Sequence, residues 1–509
     1  MIKNKRKIIA ILGIFSLFIG VSSLPSVSSI NVTISQYVKI SKTVIRVDDD
    51  GDGDYTSIQD AIDHAINGDI IEVYSGTYDD IITVDKQLNL IGIDSELGGG
   101  GGTGKPLLNG ECGGDEEVIH VKVDGCSISG FHIDSPDKCL YGILVESDDN
   151  DIFQNDVENT NFGICCDQSS YNRVYDNFVR GTFYAIIISN SYNSQIYTNN
   201  VDDNGYGIYI CNYAENNIVY NNIASNIDAV GIYTCYSSNN TIYKNMIISC
   251  DKGIVLGVDE DDNGNGMTVY GNSIKSCDTG IMVTGAFHNI YKNNITNCRY
   301  GLLMEKIETF PPVHCCANKV YENNIIDSRE TGIWLKDVYT SEIYWNNITG
   351  SEDEGLLLDS SELNDIFENN ITQNKKTGLY CIGSENNIIY HNNFIGNHEN
   401  AYSWGSPPKD RRNKWNLPLT KNGGGNYWDD YNGKDRNGDN VGDLPYIIPD
   451  HDFNPFNNDV DKYPLMEPNG RPNVKIKSIN KQIYSNKLFL RLIERFPILL
   501  KVFLCLIPR

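Results

Sequence analysis

Asp435, Asn437, Asp439 and Asp443 place oxygen-bearing side chains at positions 1, 3, 5 and 9 of one short segment, with Gly438 and Gly442 between them for tight turns. Carboxylate and amide oxygens at that spacing suit a hard cation, Ca2+ first. The plainer reading is an acidic Gly/Asp turn that holds no ion. The stretch "DDDGDGDY", Asp48 to Tyr55, repeats these residue types in a less ordered spacing.

A softer donor set lies in "VHCC", where His314, Cys315 and Cys316 are adjacent. Imidazole and thiolate favour copper or zinc, whereas Asp259, Asp261 and Asp262 of "VDEDDNGNG" favour harder ions. Both stretches are insertions at equivalent corners of a repeat, two units apart. Stacking would bring their bases to about 10 Å of each other. A joint metal site is one expectation; two unrelated surface loops are the other. Copper handling in general favours clustered Met, Cys and His, and the 6 Met and 8 His of this chain are mostly scattered. Glycoside hydrolysis needs two carboxylates at a defined separation, and a lyase needs a base beside a bound uronate. No paired-carboxylate column recurs along the chain, and no basic run marks a groove for an acidic sugar.

The repeat is what must position these residues. "IYKNNITNCRYGL" from Ile290 has kin at Ile152, Val174, Ile196, Ile218, Ile242, Val269, Val320, Ile343, Ile366 and Ile389, mostly 21 to 24 residues apart. Each unit reads apolar, aromatic, any residue, Asn, any residue, apolar, then a short link to Gly-Ile or Gly-Leu. The segments are too short for helices, and a period near 22 with brief strands fits one coil of a β-solenoid. A leucine-rich repeat would need a regular Leu pattern that is absent.

In-register stacking predicts an asparagine column at Asn155, Asn177, Asn199, Asn221, Asn245, Asn272, Asn293, Asn323, Asn346, Asn369 and Asn392. Amides that both donate and accept can hydrogen-bond from coil to coil, and Asn tolerates the left-handed backbone of a sharp corner. An aromatic column runs from Phe153 to Tyr390, with Val219 as its gap. Cys250, Cys277 and Cys298 share a small-residue column at a turn, which points to free or partly paired packing cysteines rather than a metal site.

The ends of a solenoid must be covered. "TSIQDAIDHAI" from Thr56 carries Ile58, Ala61, Ile62, Ala65 and Ile66 at helical spacing, with Thr56 and Gln59 as a capping-box pattern. That predicts a short amphipathic helix as the N-terminal lid. After Pro468 the chain turns basic and apolar, from which a helical tail over residues 469–509 is expected. It would lie on the open end, a membrane surface or a partner protein.

Lys3, Lys5, Arg6 and Lys7 precede an apolar run and a small-residue stretch, so residues 1–30 read as a signal peptide or N-terminal anchor. The body is expected to be secreted or on the cell surface. A net charge of −26 excludes nucleic acid as a partner, because phosphate contacts need Lys and Arg clusters.

"VDDDGDGDYTSIQDAIDHAINGDIIEVYSGTYDDIITVDKQLNLIG", "ISGFHI" and the Asn/Gly-Ile coils resemble the pectin-lyase-like right-handed β-helix proteins. The tail "GGGNYWDDYNGKDRNGDNVGDLPYIIPDHDFNPFNNDVDKYPLMEP" is similar to the C-terminal element of NosD-like proteins. Together the resemblance covers roughly residues 44 to 468, and the 435–443 loop is similar to calcium loops of thrombospondin type 3 and dockerin modules. The first group includes polysaccharide lyases, hydrolases, epimerases and non-catalytic surface proteins, and the NosD group is associated with copper-site assembly in nitrous oxide reductase. Fold therefore leaves activity open.

The expectation is an all-β, right-handed parallel β-helix over residues 44–468 with a binding or structural role, towards carbohydrate or a metal ion. It would be a monomer that meets polysaccharide or cell-envelope components, with Ca2+ or copper as candidate ions. The alternative is a carbohydrate-active enzyme. A cluster of two or three carboxylates with an Arg or Lys in one groove of the folded chain would favour the enzyme, and an uninterrupted polar-ladder surface a binding or scaffold role.

Overall fold

Three inward-facing apolar columns define the coil. Ile152, Val174, Ile196, Val219, Ile242, Val269 and Ile290 continue through Val320 and Ile343 to Ile389, all fully buried. The other two run through Val157, Val179 and Val201, and through Ile143, Ile164 and Ile186. Each column heads a parallel stack in which every strand pairs with the equivalent strand one coil away. One sheet has fifteen strands; the other two faces merge into a second sheet, because Asn200–Cys211 and Ile223–Thr234 cross the corner as continuous strands. The result is a right-handed parallel β-helix, seen in a computed structural model. The model describes residues 43–469 apart from 99–102, 111, 113, 115, 136–138, 258–264, 307–314, 405–410, 419–423 and 451–457. The expected leader (1–30) and helical tail (469–509) fall outside the described residues, save Asn469 itself. Among the described residues no helix is long and apolar enough to cross a membrane.

The asparagine ladder is real and continuous. The Asn293 amide accepts from the backbone N–H and the Nδ2 of Asn272 at 3.0 and 2.9 Å, and its own Nδ2 donates to the Val269 carbonyl. The corner interrupts the sheet's backbone bonds, and the side chain replaces them. Two details differ from the sequence reading. The rung between Asn199 and Asn245 is Asn222, not Asn221. Tyr220 accordingly fills the supposed gap at Val219, which points inward, and stacks on Tyr197 and Tyr243. The left-handed residue is also not the ladder asparagine but the one before it, as at Gln154, Asp176, Asn221, Lys292 and Trp345. The rung asparagines are thus selected for their amide, not for corner conformation.

A second ladder, unseen in the sequence, runs through Asn150, Asn172, Ser194, Asn217 and Asn240, and later through Asn318, Ser341, Asn364, Asn387 and Asn413. The recurring Gly of Gly-Ile is a matter of close approach. A Cβ on Gly280 would lie 2.4 Å from the Gly301 carbonyl oxygen, and one on Gly301 would lie 2.5 Å from that of Gly332. Cys250, Cys277 and Cys298 form a buried thiol column as expected, and Cys112 is joined to Cys139.

The N-terminal lid is the helix Ile58–His64, which buries Ile58, Ala61 and Ile62. Its cap is Ser57, whose oxygen accepts from the Asp60 N–H, and Asp80 accepts from the Ile58 N–H. Thr56 and Gln59 form no box, because the Gln59 amide instead accepts from the Thr83 backbone N–H. Ile66 lies beyond the helix and is 56% exposed. At the other end Phe394, Trp428 and Tyr446 stack at 4.4 and 4.2 Å. Trp415 and Trp428 donate their indole N–H groups to Asp459 and Asp461.

Candidate functional site on the outer sheet face

Side chains alternate across a strand, so the residue between two inward ones faces outward. Between Ile119 and Val121 that residue is His120, and register carries the outward column on through Leu144, Cys165, Ile187, Tyr209 and Tyr233. It continues through Val255, Met282, Leu303, Trp334, Leu357, Tyr380 and Tyr402. An outward column on a solvated sheet should be polar. This one is apolar or aromatic for twelve rungs after His120. Leu144, Cys165, Ile187 and Cys211 are only 5 to 8% exposed, sheltered by Tyr141, Phe162, Tyr184 and Tyr209. These rings stack from coil to coil, Tyr141 on Phe162 at 4.8 Å and Tyr184 on Tyr209 at 5.3 Å. Because the rings pack face to face along the stack, the strip presents their apolar edges and few hydrogen bonds, a surface that the C–H groups of a sugar ring can lie along.

Charged groups gather at one place beside the strip. Arg299 Nε lies 2.7 Å from Glu330 Oε1, and its guanidinium sits 4.9 Å from the centre of the Tyr300 ring. Tyr300 in turn lies 5.4 Å from Trp334, whose indole N–H has no acceptor. One coil further, Asp353 donates its backbone N–H to the Glu330 carbonyl, and Glu354 follows it. Arg299, then Tyr300, hold the Glu330 carboxyl below its usual range. Burial, aided by the Asp353 charge, pushes the Glu354 carboxyl up, while Thr331 donates to it at 3.2 Å. Lys376 is engaged by Asp353 at 2.7 Å. Two neighbouring carboxylates whose environments push them in opposite directions are the usual signature of an acid paired with a base. The sequence hid this group because its members come from three successive coil corners, not from one recurring position.

At the strip's first rung His120 lies between two carboxylates, with Nδ1 2.5 Å from Glu117 and Nε2 2.7 Å from Glu146.

The sites expected from sequence are placed as follows. Asp435 accepts from the Gly438, Asp439 and Asn440 N–H groups, which hold its carboxyl below the ordinary value. Asp439 accepts from Asn437 Nδ2 and from the Val441 N–H, and Asp443 accepts from the Arg436 N–H. The loop is exposed and closes on itself through Asx-type bonds. Asp259, Asp261, Asp262 and His314 lie outside the described residues. Cys315 is fully buried in the solenoid core, where burial holds its thiol protonated, and Cys316 is partly exposed.

The strand topology defines the class, a right-handed parallel β-helix. Within it the chain belongs to the NosD family: the family model described as "Periplasmic copper-binding protein (NosD)" matches residues 120–254 and 247–433. No curated protein sequence matches the chain. Similar solved structures include the A-module of the Azotobacter vinelandii mannuronan C-5 epimerase AlgE4, at 14% identity over 58% of this chain and 91% of that one, with a TM-score of 0.42. The periplasmic alginate epimerase AlgG matches at 14% identity over 64% and 83%, with a TM-score of 0.40. The Dettilon tailspike protein matches at 15% over 69% and 65%, with a TM-score of 0.41. These are likenesses of fold.

The described cysteines do not fit a copper site. A copper-binding cysteine must be a thiolate within reach of solvent or a partner. Of the described cysteines outside the disulfide only Cys316 is not buried. Burial pushes Cys166 and Cys211 up to about 12, and His288, fully enclosed, is pushed down to about 3. Cys250 differs, its thiol held below the ordinary value by the hydrogen bond with Cys277, but it too is buried in the core.

Proposed function

We propose that this is an exported carbohydrate-active protein that lays a neutral polysaccharide along the aromatic strip and hydrolyses it at the Arg299–Glu330–Glu354 cluster. The observation that carries the proposal is that stacked rings and two carboxylates of opposed environment lie along one sheet face, with Glu330 and Arg299 at its open edge. Glu354, whose carboxyl burial pushes up, is the general acid towards the glycosidic oxygen. Glu330, kept ionised by Arg299, is the partner carboxylate. Tyr300 and Trp334 provide the platform for the sugar at that point.

Charge selects the substrate class. The strip is bordered by Glu117, Glu146, Asp167, Glu305 and Asp359 against Lys252 and Lys336, and these lysines, like Arg299 and Lys376, are already paired with carboxylates. A uronate chain would meet net repulsion there, so a neutral glycan is favoured over the acidic substrate of a lyase or epimerase. The periplasmic wording of the family description, together with the basic and apolar start of the chain, supports an exported location. The 435–443 loop as a calcium site and the insertion loops as a metal site remain companion proposals. Metal analysis of Asp435→Ala and His314→Ala variants would test them.

The test is to incubate the purified protein with a panel of neutral and acidic polysaccharides and follow binding, new reducing ends and unsaturated products. New reducing ends from a neutral glycan, without unsaturation, are expected. Unsaturated products from a uronate would replace hydrolysis by elimination, and binding without turnover would return the protein to a binding role.

A further inference from the structure

A second buried site lies at the N-terminal corner, far along the chain from the strip's charged cluster. Asp48, directly after the strand Val44–Val47, is fully buried, and neither of its carboxylate oxygens has a hydrogen-bond partner. Glu96, in the loop after the strand Asn89–Gly92, has a buried Oε1 that is equally unmatched. A buried, unpaired carboxylate is among the costliest groups a fold can hold. Nothing basic relieves it: among the described residues no ion pair reaches Asp48, Asp49, Asp50, Asp52 or Glu96.

The carboxylates converge instead. Oxygens of Asp48, Asp49 and Glu96 lie within 4.8 Å of one another, and so do those of Asp48, Asp50 and Asp52. Oxygens bound to Ca2+ at about 2.3–2.6 Å sit up to roughly 5 Å apart across the ion, so these spans fit one coordination sphere. The backbone is shaped to allow it. Gly51, at φ +97°, turns the loop, and its N–H donates to the Asp48 carbonyl. A Cβ on Gly76 would lie 2.5 Å from the Asp49 carboxyl, and one on Gly98 would lie 1.9 Å from Asp52 Oδ2. Glycine therefore stands where two of the carboxylates need room. The Asp49 carboxylate is further oriented by the Thr77 N–H at 2.9 Å.

We propose that Asp48, with Asp49, Asp50, Asp52 and Glu96, binds one calcium-class divalent cation that ties the first coil's loop to the loop after Asn89–Gly92. An all-carboxylate set is hard and flexible, which suits Ca2+ better than copper or zinc. The ion would fasten the end of the stack that the Ile58–His64 helix covers, so its role is to hold the first coils closed.

The experiment uses the full chain, stripped of metal with a chelating resin, and titrated with Ca2+ by calorimetry and with Tb3+ by tyrosine-sensitised luminescence. Wild type should take up an ion at this corner and melt several degrees higher with Ca2+. Asp48→Asn and the milder Glu96→Gln should each weaken that binding at least tenfold and lose most of the Ca2+-dependent rise in melting temperature. Glu352→Gln, at an exposed carboxylate paired with Lys375, should leave both intact, and any uptake lost in Asp435→Ala should be independent of Asp48 and Glu96. If Glu96→Gln, folded as wild type, binds Ca2+ and Tb3+ unchanged, the assignment is overturned. It is equally overturned if Asp48→Asn raises the melting temperature without regard to Ca2+, since the corner would then be carboxyls sharing protons.

Discussion

Two kinds of buried polar group stand in this molecule, and they differ in what they ask of their surroundings. The asparagine rungs are neutral, and each finds its partners in the adjacent coils, so the coil repeat itself satisfies them. The Asp48 corner is built of ionisable groups, and its nearest neighbours are carboxyls like itself. The ladder teaches that a buried amide repeated in register is architecture. The corner teaches that a buried charge without a partner in the chain needs a partner from outside it. The Arg299–Glu330–Glu354 cluster stands between the two, partly paired and partly exposed, as a reacting group must be.

The comparison can be broken most sharply at a rung. Asn293→Ala should orphan the Asn272 N–H and the Val269 carbonyl in the core, costing about 2–6 kcal/mol at roughly 1–3 per unmatched group. A shift in the urea midpoint measures it, and the loss should be the same with or without Ca2+. Removing Ca2+ from wild type should come next in size, lowering the melting temperature by several degrees while leaving Glu96→Gln almost unmoved.

Asp461 offers an intermediate case, a buried carboxylate that accepts from the Asn426 and Tyr463 N–H groups and the Trp428 indole. Burial still pushes it up to about 6 from an ordinary 3.8. The folded state thus holds the proton more tightly than the unfolded chain. That contribution is complete below pH about 4 and is lost as the pH rises to about 6. Asp461→Asn should flatten this part of the stability profile in thermal melts from pH 4 to 7. Smallest should be Tyr344→Leu, which removes one ring from the outer stack between Tyr321 and Phe367. The cost is about 0.5–1.5 kcal/mol beyond lost area.

Much of the architecture was legible because stacking turns sequence period into spatial register. Inward columns, rungs and rings each recur at the coil spacing. The one slip of register along the ladder, Asn221 for Asn222, arose where Ile218, Val219 and Tyr220 are all apolar or aromatic. One residue of register there exchanges inside for outside, and Tyr220 stacking on its neighbours settles it. The outer strip was hidden for a related reason. "GILV", "GICC" and "AIII" are apolar at consecutive positions, so alternation cannot say which residues leave the core. The charged cluster was illegible because Arg299, Glu330 and Glu354 sit at coil corners whose residue types vary, and only the stacked backbone brings them together. The acidic stretch from Asp48 was visible, but its partner Glu96 was not. Their meeting depends on the register of the strands Val44–Val47, Ile70–Val73 and Asn89–Gly92.

The central claim is that the strip's two carboxylates perform glycan chemistry, and Glu354→Gln tests it most directly. On a neutral polysaccharide that wild type cleaves, the variant should keep its binding and lose about 10²–10⁴-fold in the release of reducing ends, the usual contribution of a general acid. Cleavage by Glu354→Gln at the wild-type rate would contradict the account.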